Sequence, residues 1–272
     1  MPRIFDFGGR EVERSQTIAG LRGLKGSGRR AAQVTAETSD EAAAAEAAGV
    51  EMVVCRAANV SRVREGSRRV FVTAALGFAD AITGDEILRT AFGAVAAGAD
   101  AVITGRGYEI VRMLADESIP VMGHLGFVPR KSTWIGGVRA VGKTSAEAVA
   151  LWDRFRRLED AGAFAAECEL IAGPVMSEIN RRSSLVTVSL GSGADADVIF
   201  LFTSDICGEA ARLPRHARAW GDLGKLHNAV RDERIKALSG FRSDVASGSF
   251  PAARQVVGLA DAELEEFRAR LG

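Results

Sequence analysis

Two glutamates stand two residues apart in the run Ala165-Ala166-Glu167-Cys168-Glu169. If the run is a strand, both carboxylates face the same side of it. A pair of carboxylates on one buried face is costly unless the groups are paired or used, so Glu167 and Glu169 are candidates for general acid–base work. A strand shifted by one residue, with one glutamate in a loop, is the structural alternative. His124, in Gly123-His124-Leu125-Gly126, is the one histidine at the end of an apolar run. There it serves either as a polar substrate contact or as a hydrogen-bonded structural residue. Arg56, Arg106 and Asp205 also follow short apolar runs. Arginine stays charged at every relevant pH and offers a planar fork to a carboxylate, so positions 56 and 106 suit an anionic ligand. Gly191-Ser192-Gly193 follows another run but lacks the third glycine of a dinucleotide fingerprint, and reads better as a tight turn at a strand mouth than as a phosphate cradle. His216 and His227 fall in a helical tail and read as surface residues. The three histidines show no spacing typical of a metal motif and the three cysteines form no CxxC pair, so no His- or Cys-based metal site is expected.

The elements that must position these residues alternate along the chain. Short β-branched or apolar runs occur at 33–36, 52–55, 70–74, 101–104, 121–123, 165–169, 185–190 and 198–203. Helical periodicity fills 40–48, 84–97, 108–117, 145–161 and 174–183, with Ser39/Asp40, Thr83 and Thr144/Ser145 where N-caps belong. Ala48-Gly49, Ala97-Gly98 and Ala161-Gly162 each close a helix before a strand, glycine being able to take the left-handed conformation that ends it. Eight strands with intervening helices predict a (β/α)8 barrel, a doubly wound open sheet being the competitor. Barrels place reacting groups at the C-terminal strand ends, where Arg56, Arg106, His124, Glu167, Glu169 and Asp205 all fall. The rhythm breaks in a loop of about twenty residues after the fifth strand, the kind of loop that carries function. It breaks again from Ala210 onward, where two helical stretches (near 223–238 and 261–271) predict a C-terminal helical extension, 210–272, of a single domain spanning 1–272.

Composition narrows the partners. The chain has 272 residues with 35 basic and 35 acidic side chains, a formal charge of zero, which argues against a nucleic-acid surface. No apolar run is long enough to cross a membrane and no targeting peptide is evident at the front, so a cytoplasmic protein is expected. The odd cysteine count agrees with a reducing compartment.

The segment Pro120-Val121-Met122-Gly123-His124-Leu125-Gly126-Phe127-Val128-Pro129, followed by Gly136-Gly137 and Gly142-Lys143, resembles ketopantoate hydroxymethyltransferase (3-methyl-2-oxobutanoate hydroxymethyltransferase). The resemblance extends to Ala161-Gly162-Ala163 leading into Glu169, to Gly191-Ser192-Gly193, Asp197 and Asp205-Ile206-Cys207-Gly208, and to Pro214-Arg215-His216 and Ser247-Gly248-Ser249-Phe250-Pro251. It implies a (β/α)8 TIM barrel of the phosphoenolpyruvate mutase/isocitrate lyase type, usually a large homo-oligomer. It also implies transfer of a one-carbon unit from methylenetetrahydrofolate to a small 2-oxo acid in pantothenate biosynthesis, with Mg2+ stabilising an enolate, and a catalytic glutamate at Glu169.

The chain departs from that family at the metal. Its three carboxylates are replaced by Arg56 in Cys55-Arg56-Ala57, by Ala75 in Ala74-Ala75-Leu76-Gly77-Phe78, and by Gly105 in Ile103-Thr104-Gly105. Mg2+ needs carboxylate oxygens, so the family Mg2+ site is expected to be lost. The expectation is then an enzyme of hydroxymethyltransferase or aldolase/lyase type that makes or breaks a carbon–carbon bond beside the carbonyl of a small 2-oxo acid. Glu169 and His124 would be catalytic; Arg56, Arg106, Glu167, Gly191, Gly193 and Asp205 would bind substrate, with methylenetetrahydrofolate as possible co-substrate and no metal. Two alternatives remain. One is a non-catalytic barrel kept as a binding or assembly subunit; for Arg56 itself the structural alternative is a salt bridge to Glu167 or Glu169 that plugs the centre. The other is a lyase acting on another small oxoacid.

Overall fold

Short β-branched strands and alanine-rich helices alternate until the sheet closes on itself. The computed structural model describes residues 3–272. An antiparallel ribbon, β1 (Ile4–Phe5) and β2 (Glu11–Val12), precedes the barrel. The barrel strands are β3 (Ala31–Thr35), β4 (Met52–Arg56), β5 (Phe71–Ala75), β6 (Ala101–Thr104), β7 (Val121–Gly126), β8 (Ala165–Glu169), β9 (Val186–Leu190) and β10 (Val198–Leu201). All pair in parallel, and β10 returns to β3 through Val198↔Ala31 and Leu201↔Val34. That closure rules out the open doubly wound sheet. The helices are α1 (Ile18–Arg22), α2 (Ser39–Ala47), α3 (Val60–Gly66), α4 (Gly84–Ala96), α5 (Tyr108–Asp116), α6 (Ser145–Asp160), α7 (Gly173–Arg182) and the single turn α8 (Thr203–Ile206).

Strand periodicity divides the core in two. Met52, Phe71, Met122, Val186 and Val198 fill the barrel interior, while Val53, Val72, Val102 and Val121 face outward onto Ala91, Leu114, Phe155 and Leu158 of the helices. Thr83 and Thr144 cap α4 and α6 as expected, whereas α2 is capped by Thr38, one residue earlier than expected, in a reciprocal box with Glu41. The helix-to-strand connectors turn on Gly49, Gly98 and Gly162 at φ 77°, 108° and 90°, a region where a Cβ would be strained. Helix α3 has no counterpart in the sequence reading, because seven residues with two buried apolar positions, Val60 and Val63, are too short to show a period.

Ion pairs lock the N-terminal end of the barrel. Asp100, just before β6, accepts from Arg14 Nε and Arg64 Nη2 at 2.6 Å each and from the Val72 amide at 2.8 Å. Lys25 reaches Asp197 at 2.9 Å. Charge pairs at the end opposite the strand tips serve stability rather than chemistry.

The chain forms two compact units: the barrel through Ile206 with Ala211–Ala219, and a second unit of Cys207–Ala210 with Trp220–Gly272. The second contains α9 (Leu223–Ser247) and α10 (Asp261–Leu271). Helix α9 runs nine residues beyond the stretch expected from sequence and leaves Leu226, Val230, Leu238, Phe241 and Val245 exposed. Among the described residues, no helix is long and apolar enough to cross a membrane.

Candidate active site

The C-terminal strand ends enclose a cavity of about 240 Å³ walled by Val54, Leu76, Ile103, Phe78, Phe200 and Phe202, with Thr35, Glu37, Arg56, Thr104, His124 and Glu167 as its polar groups. β7 and β8 run in register so that His124 lies opposite Glu167. Both glutamates face inward, as the two-residue spacing requires: Glu167 Oε1 lies 3.6 Å from His124 Nδ1, and Glu169 Oε2 lies 3.1 Å from Nε2. The strand is therefore not shifted, and neither carboxylate falls in a loop. His124 Nε2 also donates to the Phe127 carbonyl at 2.9 Å. A carbonyl only accepts, so Nε2 carries a proton, and Nδ1 is the ring nitrogen turned toward Glu167.

Glycines make the close approach possible. A Cβ on Gly126, at φ 89°, would lie 2.2 Å from the Glu169 carbonyl, and one on Gly123 would meet Leu158 at 2.5 Å. Gly105 leaves room that the Phe78 ring fills, a Cβ there lying 2.9 Å from it. Arg130 stacks over that ring at 3.9 Å and donates to the Gly105 carbonyl.

Electrostatics follow from burial. Burial pushes the Glu167 carboxyl above its ordinary range, against the opposing pull of His124. For His124 burial is the largest single influence and lowers it, but the hydrogen bond to Glu169 and the charges of both glutamates together carry it above its ordinary value. Cys55 faces the outer layer with Val53, and burial pushes its thiol up to about 12.

Because both shifts are upward, the native state holds protons that the unfolded chain releases. Glu167 costs stability as pH rises from the ordinary carboxylate range toward its native value. The His124 contribution is full below the ordinary imidazole range and lost as pH rises through its native value. Glu167→Gln, with the proton-dependent charge removed, is expected to melt higher than the wild type at pH 8 in the presence of a chelator. The gain corresponds to roughly 1–2 kcal/mol, since neutral replacement of a buried charge is often stabilising, and it narrows toward pH 4. A thermal melt series in which the variant is less stable at pH 8 contradicts this electrostatic account.

Not every residue singled out in the sequence reaches the cavity. Arg56 does: its backbone amide is held by Glu37, and its exposed guanidinium makes no ion pair with either inner glutamate. The plugged-barrel alternative, which required that pair, is not what the structure shows. Arg106 is instead spent on the Phe78 and Ala81 carbonyls, pinning the loop after β5. Gly191 and Gly193, at φ 70° and 95°, form the turn after β9, where Ser192 Oγ donates to the Cys168 carbonyl at 2.6 Å and accepts from Ile171 N at 2.8 Å. His216 does not lie in a helix: its ring lies against Gly191, where a Cβ would stand 2.9 Å from Cγ. Asp205 is buried in α8 and is not on the cavity wall. Glu37, Thr35 and Thr104 were missed, although Glu37 follows the first barrel strand, so the strand-end rule applied there would have found it. A larger groove of about 1030 Å³ beside the N-terminal ribbon carries arginines and acids together and holds none of the strand-end residues.

A closed parallel eight-stranded barrel with titratable side chains at its C-terminal strand ends is a (β/α)8 barrel with a candidate site where such barrels carry theirs. The family model described as ketopantoate hydroxymethyltransferase matches residues 56–253, and the chain belongs to that family. It is 33% identical over 223 residues to 3-methyl-2-oxobutanoate hydroxymethyltransferase of Nitratidesulfovibrio vulgaris, covering 80% of this chain and 69% of that one. It is 34% identical over 194 residues to the protein of the same name from Pyrobaculum islandicum, covering 70% and 72%. The fold is shared with a putative phosphonomutase from Burkholderia cenocepacia (TM-score 0.52, 13% identity, covering 85% of this chain and 98% of that one). It is shared equally with a phosphonopyruvate hydrolase solved with oxalate and Mg2+ (TM-score 0.52, 14% identity, covering 94% and 98%).

The resemblance puts the family's Mg2+ carboxylates at positions 56, 75 and 105. Here those positions line the cavity with a guanidinium, a methyl group and no side chain. The acid beside position 56, Glu37, is held by the Arg56 amide and by Asn59 Nδ2 at 2.6 Å. A hard dication needs several oxygen ligands, so these residues do not fit Mg2+.

Proposed function

We propose that this family member acts on a small 2-oxo acid, forming or cleaving a carbon–carbon bond next to the carbonyl, without Mg2+ at the family's position. The observation that carries the proposal is the unpaired Arg56 guanidinium on the same small, largely apolar cavity as His124 and Glu167. Arg56 would take the substrate carboxylate, and its charge would stabilise the enolate that forms. The phenylalanine and aliphatic walls would hold a short branched chain and exclude water. Glu169 would remove the proton on the carbon beside the carbonyl with one carboxylate oxygen. Methylenetetrahydrofolate remains the one-carbon donor suggested by family membership. The exposed apolar side chains of α9 support a homo-oligomer, and the absence of a surplus of basic charge fits a small anionic substrate rather than nucleic acid.

Loss of all three family carboxylates favours a second possibility, a non-catalytic barrel that binds an oxoacid. Exchange of the C3 proton of 3-methyl-2-oxobutanoate in D2O, followed by NMR without folate, separates the two. Enzyme-dependent exchange supports the enzyme; its absence, with binding intact, supports the subunit. Arg56→Ala is expected to raise KM in this exchange by about 10- to 100-fold, the worth of one charge-assisted contact of about 1.5–3 kcal/mol. An unchanged KM removes Arg56 from substrate binding.

A further inference from the structure

The Glu167 carboxylate is more than nine-tenths buried and faces the cavity. Among the described residues no hydrogen bond satisfies it; its one close polar neighbour is His124 Nδ1 at 3.6 Å. With Nε2–H committed to the Phe127 carbonyl, Nδ1 is the ring nitrogen left to ligate once its own proton is displaced. Glu169 brings a second carboxylate, and one ligand atom from each of the three side chains falls within 4.8 Å of the others. Among the described residues, no lysine or arginine joins these three groups, since Arg56 pairs with neither glutamate. A bare assembly of this kind is unfavourable, and either an added proton or a dication relieves it.

The geometry points to a second kind of metal site in this barrel: we propose that His124 Nδ1, Glu167 and Glu169 bind one first-row transition dication, of the Zn2+, Mn2+ or Co2+ class. The donor set chooses that class. An imidazole with two carboxylates suits transition dications, whereas Mg2+ prefers oxygen ligands alone. The Phe127 carbonyl does what the outer partner of a metal-bound histidine does, fixing the tautomer and turning the free nitrogen inward. Glu167 and His124 face the cavity, so a bound ion would keep open positions toward a ligand there. Such a site lies on β7 and β8, across the barrel from positions 56 and 75 on β4 and β5 and beside position 105, and differs in using Glu167. Any part the ion plays in enolate formation rests on the function proposed above; its binding does not.

The test is Co2+ binding to protein stripped with a chelator and dialysed, read by calorimetry and by the visible d–d bands that report N/O ligation. One equivalent is expected at micromolar strength, with the pH dependence that ligation by imidazole and carboxylate groups brings. Glu167→Gln and His124→Gln should each weaken binding by about 100-fold or more, since even an outer-shell change costs 10–100-fold. Arg56→Ala should bind Co2+ as the wild type does. Circular dichroism of the stripped Glu167→Gln protein, expected to melt no lower than the wild type, separates lost ligation from lost folding. No stoichiometric binding by the wild type, or unchanged affinity in Glu167→Gln, overturns the site. Intact Co2+ binding without C3 proton exchange would instead overturn the proposed function and leave the metal site standing.

Discussion

Glu169→Gln is expected to lower the rate of C3 proton exchange in 3-methyl-2-oxobutanoate by about 10³-fold, within the range for loss of a general base. The amide keeps the size and polarity of the carboxylate, so a contact to His124 survives while the ability to accept a proton at neutral pH does not. Glu169 is at the end of β8, just outside the lining of the cavity, and its side chain is 14% exposed. The effect should fall on kcat, with KM changing little, because Arg56 rather than Glu169 is assigned to hold the substrate carboxylate. Equal losses in kcat for Glu169→Gln and Glu169→Asp would also be informative: a base displaced by one methylene should retain part of its activity. Full exchange activity in Glu169→Gln would remove this residue from proton transfer.

The largest expected effect on stability lies at the opposite end of the barrel. Asp100→Ala should destabilise the protein by about 3 kcal/mol, because it leaves two poorly exposed guanidinium groups, on Arg14 and Arg64, without their counter-ion. Removing one partner of a buried pair costs more than the pair contributes, since the stranded charge keeps its desolvation penalty. Arg64 shows the balance directly: burial lowers its pKa, and the charge of Asp100 opposes that fall. The Val72 amide loses an acceptor as well. For a barrel of this size the loss corresponds to a fall in Tm of roughly 6–12 °C. Circular dichroism melts check it, and a change below about 1 kcal/mol would show that the three charges are effectively solvated. Asp100→Asn, which retains an acceptor for the amide, should lose less.

The connectors at Gly49, Gly98 and Gly162 and the caps at Thr83 and Thr144 were legible because local backbone chemistry alone demands them. The same locality explains the near-coincidence of expected and observed strands: eight buried runs of four to six residues cannot hide their hydrophobicity. The inward pairing of Glu167 and Glu169 was legible for a similar reason, since a strand has a period of two whatever surrounds it. Arg106 shows the limit. Its position after β6 placed it at the right end of the barrel, but the free carbonyls of Phe78 and Ala81 captured the guanidinium, a choice made by a loop that has no periodic signal. His216, expected on a solvated helix, was taken instead by the space over Gly191.

What the sequence determined by itself was therefore the order and type of the elements, the family, and which residue types stand at the strand ends. Those properties depend on neighbours within a few residues or on motifs read in line. Only the tertiary structure decided that the sheet closes, that Arg56 stays clear of the two glutamates, and that one imidazole stands between Glu167 and Glu169. Each of these is a distance between groups far apart in the chain, set by register across strands and by which hydrogen-bond partners the loops leave free.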